Sequence, residues 1–135
     1  MHYRQIRVDE LKVFTQKELS THNDLTDNEL SHLNHPVTKC SEGAYDLMIL
    51  LGVFDSQNTL AGFCLIPKYS KNIMTSLYIG RAFRNKGFAS WLLNELKIDS
   101  LNCLTDNLNA IRLYESLGFK QVSQNAFSIR FERKL

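Results

Sequence analysis

Cysteine is too scarce and too scattered to build a framework. Cys40, Cys64 and Cys103 are odd in number and include no Cys-x-x-Cys pair. That argues against a disulfide scaffold and against a zinc site, and it suits a reducing cytosol. No apolar run is long enough to cross a bilayer. The opening residues MHYRQIRVDE hold no apolar core of a secretion signal, so a cytoplasmic location is expected, with no membrane partner. Charge of one sign is also lacking: a net charge of +2 is too small for a nucleic-acid surface. There is no internal repeat, low-complexity tract or linker. With 44% hydrophobic and 22% charged residues, the composition is that of a globular chain, and one domain over residues 1–135 is expected.

The chemistry is concentrated between Leu77 and Phe119. Leu77-Tyr78-Ile79 is a strand-like triplet. A basic loop with one glycine follows, Arg84-Asn85-Lys86-Gly87-Phe88-Ala89, and it opens through Ser90 into a helical pattern. Glycine in a strand-to-helix turn lets the backbone approach a ligand closely. The free N–H groups of a helix start, aided by the dipole, form an anion site. Arg81, Arg84 and Lys86 place three cations there, and arginine can clamp phosphate in a bidentate manner. Ala89 is small enough to let a diphosphate sit against the first helical turn. The loop also reads as a surface turn with solvated charges.

The spacing Arg84-x-x-Gly87-x-Ala89 resembles the acetyl-CoA loop of the GNAT superfamily of N-acetyltransferases, which reads Arg or Gln, two residues, Gly, one residue, then Gly or Ala. A second stretch, Asn107 to Phe119 (NLNAIRLYESLGF), matches the same superfamily at Asn107, Ala110, Tyr114, Gly118 and Phe119. The two motifs stand in the right order, separated by a helix and a strand. The resemblance implies an α/β fold with a central mixed, mostly antiparallel sheet of six to seven strands flanked by about four helices. It implies that the sheet splays between the fourth and fifth strands to admit the pantetheine arm. Acetyl-CoA would then contact Leu77, Tyr78, Ile79, the loop from Arg84 to Ser90, and Asn107. From Arg84 to Asn107 the chain is shorter than usual in the family by about two turns of helix, a loss assigned to the end of the helix after the Gly87 loop and to the loop that follows that helix.

The remaining elements follow from pattern. Tyr3 to Val8 is an edge strand. Asp9 is a helix N-cap, with Leu11, Val13, Phe14 and Leu19 as the apolar positions. Thr26-x-x-Glu29 has capping-box spacing and starts a second helix, which His35-Pro36 should end. Tyr45 to Phe54 is a strand buried on both faces, and Thr59 to Ile66 returns as a hairpin stopped by Pro67. Met74 to Ile79 is the third strand of this meander. The helix after the loop carries Phe88, Trp91, Leu92, Leu93 and Leu96. Leu101 to Thr105 is a short strand with Leu101 and Cys103 on one face. Asn107 caps the last helix and Gly118 ends it. A closing hairpin, Phe119–Ser123 with Ala126–Arg133, turns Phe127, Ile129 and Phe131 to the core.

The implied reaction is acetyl transfer from acetyl-CoA to a primary amine that arrives neutral. A backbone N–H near Tyr78 or Ile79 would stabilise the oxyanion. Tyr114, by resemblance, would protonate the departing thiolate, since a phenol with a pKa of about 10 is protonated at neutral pH. The stretch Met74 to Ile79 has no carboxylate, so the general base stays open among Asp46, His32, His35 and a water relay. His32 and His35 lie three apart but lack a third ligand, and no metal is expected. Thr26 to Gly43 is the expected acceptor-specificity segment. Polyamine, amino acid, aminoglycoside, peptide N-terminus and protein lysine all stay open as acceptors, as do monomer and homodimer. An acyl-CoA-binding sensor on the same fold is the alternative from another class. A nucleotide-binding module is disfavoured, because the loop lacks a Gly-Lys-Ser/Thr ending and a three-glycine fingerprint.

Overall fold

The computed structural model describes residues 1–41, 43 and 46–135, apart from the side chains of 40 and 41. Strand β1 (His2–Gln5) leads into helices α1 (Val8–Thr21) and α2 (Asp27–Ser41). Strands β2 (Met48–Phe54), β3 (Leu60–Pro67), β4 (Ile73–Met74) and β5 (Ser76–Ile79) follow. Then come α3 (Phe88–Glu95), β6 (Ser100–Leu104), α4 (Leu108–Ser116), β7 (Lys120–Gln124) and β8 (Ser128–Glu132). The class is the expected mixed α/β, with four α-helices and eight strands among the described residues. The strands form two four-stranded sheets, ordered β1-β2-β3-β5 and β4-β6-β8-β7.

The division into two sheets comes from one place. The expected strand Met74 to Ile79 is split at Thr75. Ile73 and Met74 pair in parallel with Ser100 and Leu101 of β6. From Ser76 onward the chain pairs antiparallel with β3, Ser76 opposite Leu65 and Ile79 opposite Gly62. Thr75 holds the junction: its N–H and its hydroxyl both donate to the Leu65 carbonyl, at 2.9 and 3.1 Å. The chain therefore leaves one sheet for the other within two residues.

Alternation along β2 and β3 divides the core. Leu51, Val53, Cys64 and Ile66 face a cluster with Leu92 and Leu93 of α3 and Tyr114 of α4. Leu50, Phe54, Phe63, Leu65 and Tyr78 face Leu11 and Phe14 of α1 and Leu33 of α2. β2 is buried on both faces, as its continuous apolar run requires. It starts at Met48 rather than Tyr45. Asp46 and Leu47 form a turn, and Tyr45 itself lies outside the described residues.

Several expectations are corrected. Helix α1 is capped at Arg7 instead of Asp9, and the Arg7 N–H donates to Glu10 Oε1 at 3.2 Å. The buried face of α1 is Leu11, Phe14, Thr15 and Glu18, while Val13 and Leu19 are exposed. Helix α2 begins with the expected box, Glu29 N–H to Thr26 Oγ1 at 3.2 Å and Thr26 N–H to Glu29 Oε1 at 3.1 Å. It then continues through Pro36, which is buried, to Ser41. The lost hydrogen bond is offset by packing of Leu33 and Val37 on the α1-side core. Pro67 closes β3 from within it. Phe127 is 78% exposed, because Asn125 Oδ1 accepts from the N–H groups of Phe127 and Ser128 and makes a turn there. Ile129 and Phe131 are buried as expected.

Gly62 lets β3 and β5 approach. A Cβ there would collide with the Tyr78 carbonyl oxygen and stand 2.9 Å from Ile79 Cα. Both are backbone atoms and cannot turn aside. Gly62→Ala is expected to lower unfolding stability by about 1–3 kcal/mol, measured as a fall in urea midpoint.

Candidate active site

The two sheets diverge beyond Thr75, and among the described residues one edge of β5 has no neighbouring strand. The Gly80 N–H donates to the Ala61 carbonyl at 2.8 Å. Main-chain groups of alternate residues in an antiparallel ladder turn to the same side. Tyr78 and Ser76 therefore spend theirs on β3, while Leu77 and Ile79 turn theirs to the open edge. The Ile79 carbonyl on that edge accepts from Arg84 Nε at 3.0 Å. The N–H groups of Leu77 and Ile79 point where no strand follows. The side chains of Leu77 and Ile79 pack on the cluster that contains Tyr114 and Cys103. The Tyr78 side chain turns to the opposite face, against Phe14 and Phe63, and donates to Glu18 Oε2 at 2.8 Å.

The loop after β5 passes through a short 3₁₀ turn, Arg81–Phe83, and then two left-handed residues, Asn85 at φ 61° and Gly87 at φ 84°. Gly87 caps α3, so Phe88, Ala89 and Ser90 form its first turn. A Cβ on Gly87 would meet nothing within 4 Å. The glycine is thus required by backbone angle, and open space lies above it. α3 has only eight residues, and a left-handed Lys97 turns the chain back into β6.

On the other arm, Asn107 caps α4, its Oδ1 accepting from the Ala110 N–H at 3.3 Å. Gly118 follows at φ 91° and lets Phe119 turn back beneath the helix. Tyr114 lies edge-on to Phe119 and Phe131, each 6.0 Å away. Burial, with a smaller contribution from Cys103, pushes its phenol well above the ordinary tyrosine value. The hydroxyl keeps its proton throughout the neutral range. Burial pushes the Cys103 thiol up to about 11, so this cysteine is a packing residue rather than a nucleophile.

The family described as Acetyltransferase (GNAT) domain matches residues 49–121, more than half of the chain. The chain belongs to the GNAT acetyltransferases. No curated protein sequence matches it. Solved structures do. A chimera of the spermidine N-acetyltransferase from Vibrio cholerae and hSSAT superposes with a TM-score of 0.68 at 17% identity, covering 98% of this chain and 93% of that one. The spermidine N-acetyltransferase from Vibrio cholerae in complex with CoA and spermine gives 0.65 at 16% identity, with 96% and 92% covered. A dodecameric structure of the Vibrio cholerae enzyme in an intermediate state gives 0.64 at 16%, with 96% and 91% covered. At these identities the likeness shows the shared fold.

In this GNAT acetyltransferase two of the three expected loop cations face carboxylates. Arg81 gives Nε and Nη2 to Glu29, at 2.9 and 2.8 Å, and Nη1 to Asp24 at 2.7 Å. Arg84 Nη1 lies 2.9 Å from Glu29 Oε2. Lys86 is exposed. Glu29 was legible as a cap, and its second role was not. Glu18 is a buried acid that spacing could have found, since it stands four residues from Phe14 and seven from Leu11 on the apolar face. Asp46 lies in the turn before β2. On α2, His32 turns Nδ1 to the Asn28 carbonyl at 2.9 Å, and His35 is exposed. Among the described residues no group of three His, Cys, Asp or Glu could hold a metal.

The Arg81 guanidinium is the main cause that holds the Glu29 carboxyl down to about 2, from an ordinary 4.5. A depressed carboxylate adds stability above its unfolded pKa and loses it as pH falls through the folded one. Glu29 therefore contributes in full above about pH 4.5 and is lost towards pH 2. Glu29→Gln is expected to flatten the fall of urea midpoint between pH 4.5 and 2, and an unchanged slope would contradict the pairing.

Proposed function

We propose that the chain transfers the acetyl group of acetyl-CoA to a primary amine by direct attack on the thioester. The observation that carries this reading is the open edge of β5. Leu77 and Ile79 present main-chain groups with no neighbouring strand, beside the cluster that holds Tyr114. An extended amide-bearing arm fits that edge as an added strand would. The free N–H groups suit the oxyanion of an acyl transfer, and the open space over Gly87 suits a diphosphate at the start of α3. Acetyl-CoA supplies the activated acyl group, and the residues here hold and polarise it. As the amine nitrogen bonds to the carbonyl carbon and the carbon–sulfur bond breaks, the nitrogen gives up one proton to water, and Tyr114 donates its proton or a strong hydrogen bond to the leaving thiolate.

A cationic acceptor fits the turn between α1 and α2. Residues 22–29 carry Asp24, Asp27 and Glu29 with no lysine or arginine. The structural neighbour bound to CoA and spermine makes a polyamine the first acceptor to try. The acyl-CoA sensor reading draws on the absence of a carboxylate on β5, whose residues are Ser76 to Ile79. Turnover with an amine panel separates the two.

Gly87→Asp should abolish acetyl-CoA binding, through bulk and charge at the diphosphate position, with the unfolding midpoint checking that the variant is folded. Tyr114→Phe should keep acetyl-CoA affinity and slow turnover by about 10²-fold, the lower end for general acid catalysis. Unchanged turnover would remove Tyr114 from the chemistry.

A further inference from the structure

The loop that is most basic in sequence is electrically compensated in the fold. Two carboxylates, Asp24 and Glu29, meet two guanidiniums there, and a third, Glu18, meets the main chain of Arg81. Glu18 Oε2 accepts from the Arg81 main-chain N–H at 3.3 Å, Asp24 pairs with Arg81, and Glu29 is shared by Arg81 and Arg84. Arg84 is held on three sides. Nε donates to the Ile79 carbonyl, Nη1 pairs with Glu29, and the guanidinium carbon stands 5.3 Å from the centre of the Tyr78 ring. The Glu29 and Tyr78 contacts draw it to the face that α1 and α2 cover, and the Ile79 contact ties it to the edge of β5. Yet Arg84 is the residue that opens the cofactor motif.

We propose that Glu29 is a positioning residue that acts through Arg84, holding its guanidinium on the α2 side so that a CoA diphosphate must compete for it. The proposal rests on the cofactor reading above. The Arg84 side chain is 38% exposed and that of Glu29 13%, so the exchange is open to solvent at the arginine and not at the acid. Glu29 stays ionised through the neutral range, so the competition is between two anions and does not depend on protonation. Because linkage is reciprocal, whatever draws Glu29 off Arg84 from the α1–α2 side raises CoA affinity by the same factor that CoA binding loosens Glu29. The cofactor loop and the acceptor-side helices are thereby coupled through one ion pair.

Two substitutions isolate the pair without dismantling the fold. Glutamine at position 29 completes a capping box as glutamate does, and the family loop accepts glutamine at the position of Arg84. The experiment is calorimetric titration of CoA, and of pantetheine by competition, into the full chain and into Glu29→Gln, Arg84→Gln and the double variant. Glu29→Gln should bind CoA about fivefold tighter than wild type, the upper range for a partly exposed ion pair. Pantetheine, which carries no diphosphate, should bind equally to both. In the Arg84→Gln background the gain should vanish. A folded Glu29→Gln that binds CoA equally or more weakly overturns the proposal, as does a gain that persists with pantetheine or without Arg84. Absence of CoA binding by wild type is instead the failure of the cofactor reading itself, and it takes this proposal with it.

Discussion

The structure depends on a choice that the chain makes at Thr75. A strand in a sheet can satisfy its main-chain groups on two sides, and buried groups must be satisfied. Ile73 and Met74 use β6; from Ser76 onward the chain uses β3. Thr75 directs its N–H and its hydroxyl to one carbonyl, that of Leu65, and this fixes the switch. The two sheets part beyond it, and among the described residues one side of β5 has no neighbouring strand. Everything read as functional stands around that vacancy in the ladder: Leu77 and Ile79 on its edge, the Gly87 loop at its far end, and Tyr114 on the facing arm.

The flanking helices keep the arms apart and in register. α3 and α4 fill one face with Leu92, Leu93 and Tyr114, whose ring meets Phe119 after α4 and Phe131 of β8 edge-on. α1 and α2 fill the other with Leu11, Phe14 and Leu33 against Phe63 and Tyr78. The start of α2 touches both arms. Glu29 pairs with Arg81 and Arg84 after β5, and Asn28 Nδ2 donates to Asp106 Oδ1 after β6 at 3.0 Å. These contacts are polar and partly solvated, so they position more than they stabilise. The apolar clusters carry the fold, and the ion pairs set the geometry at the mouth.

Much of this was legible in the residues. The order of elements followed from periodicity and turn chemistry, and the Thr26–Glu29 box, the Asn107 cap and the left-handed Gly87 and Gly118 are where pattern placed them. The fork was implied only by resemblance. A six-residue stretch that changes partners at one threonine has the same period as one that does not, so Met74 to Ile79 read as one strand. Helix α2 passing Pro36 was illegible for another reason: the local cost of proline is visible in sequence, and the burial of Pro36 and Leu33 that offsets it is not. The acidic side of the site was hidden because Glu18 and Glu29 are long-range partners of Tyr78, Arg81 and Arg84, more than fifty residues away in sequence. A cation-rich loop therefore read as free charge.

The most direct test of the central claim is amide hydrogen exchange at Leu77 and Ile79, resolved by residue, with and without acetyl-CoA. The open edge predicts fast exchange in the free protein beside slower exchange at Tyr78, whose N–H is spent on β3. It also predicts strong protection of Leu77 and Ile79 when acetyl-CoA is added. Exchange at these two amides that is already slow, or that does not respond to acetyl-CoA, would contradict the assignment of the fork as the cofactor site.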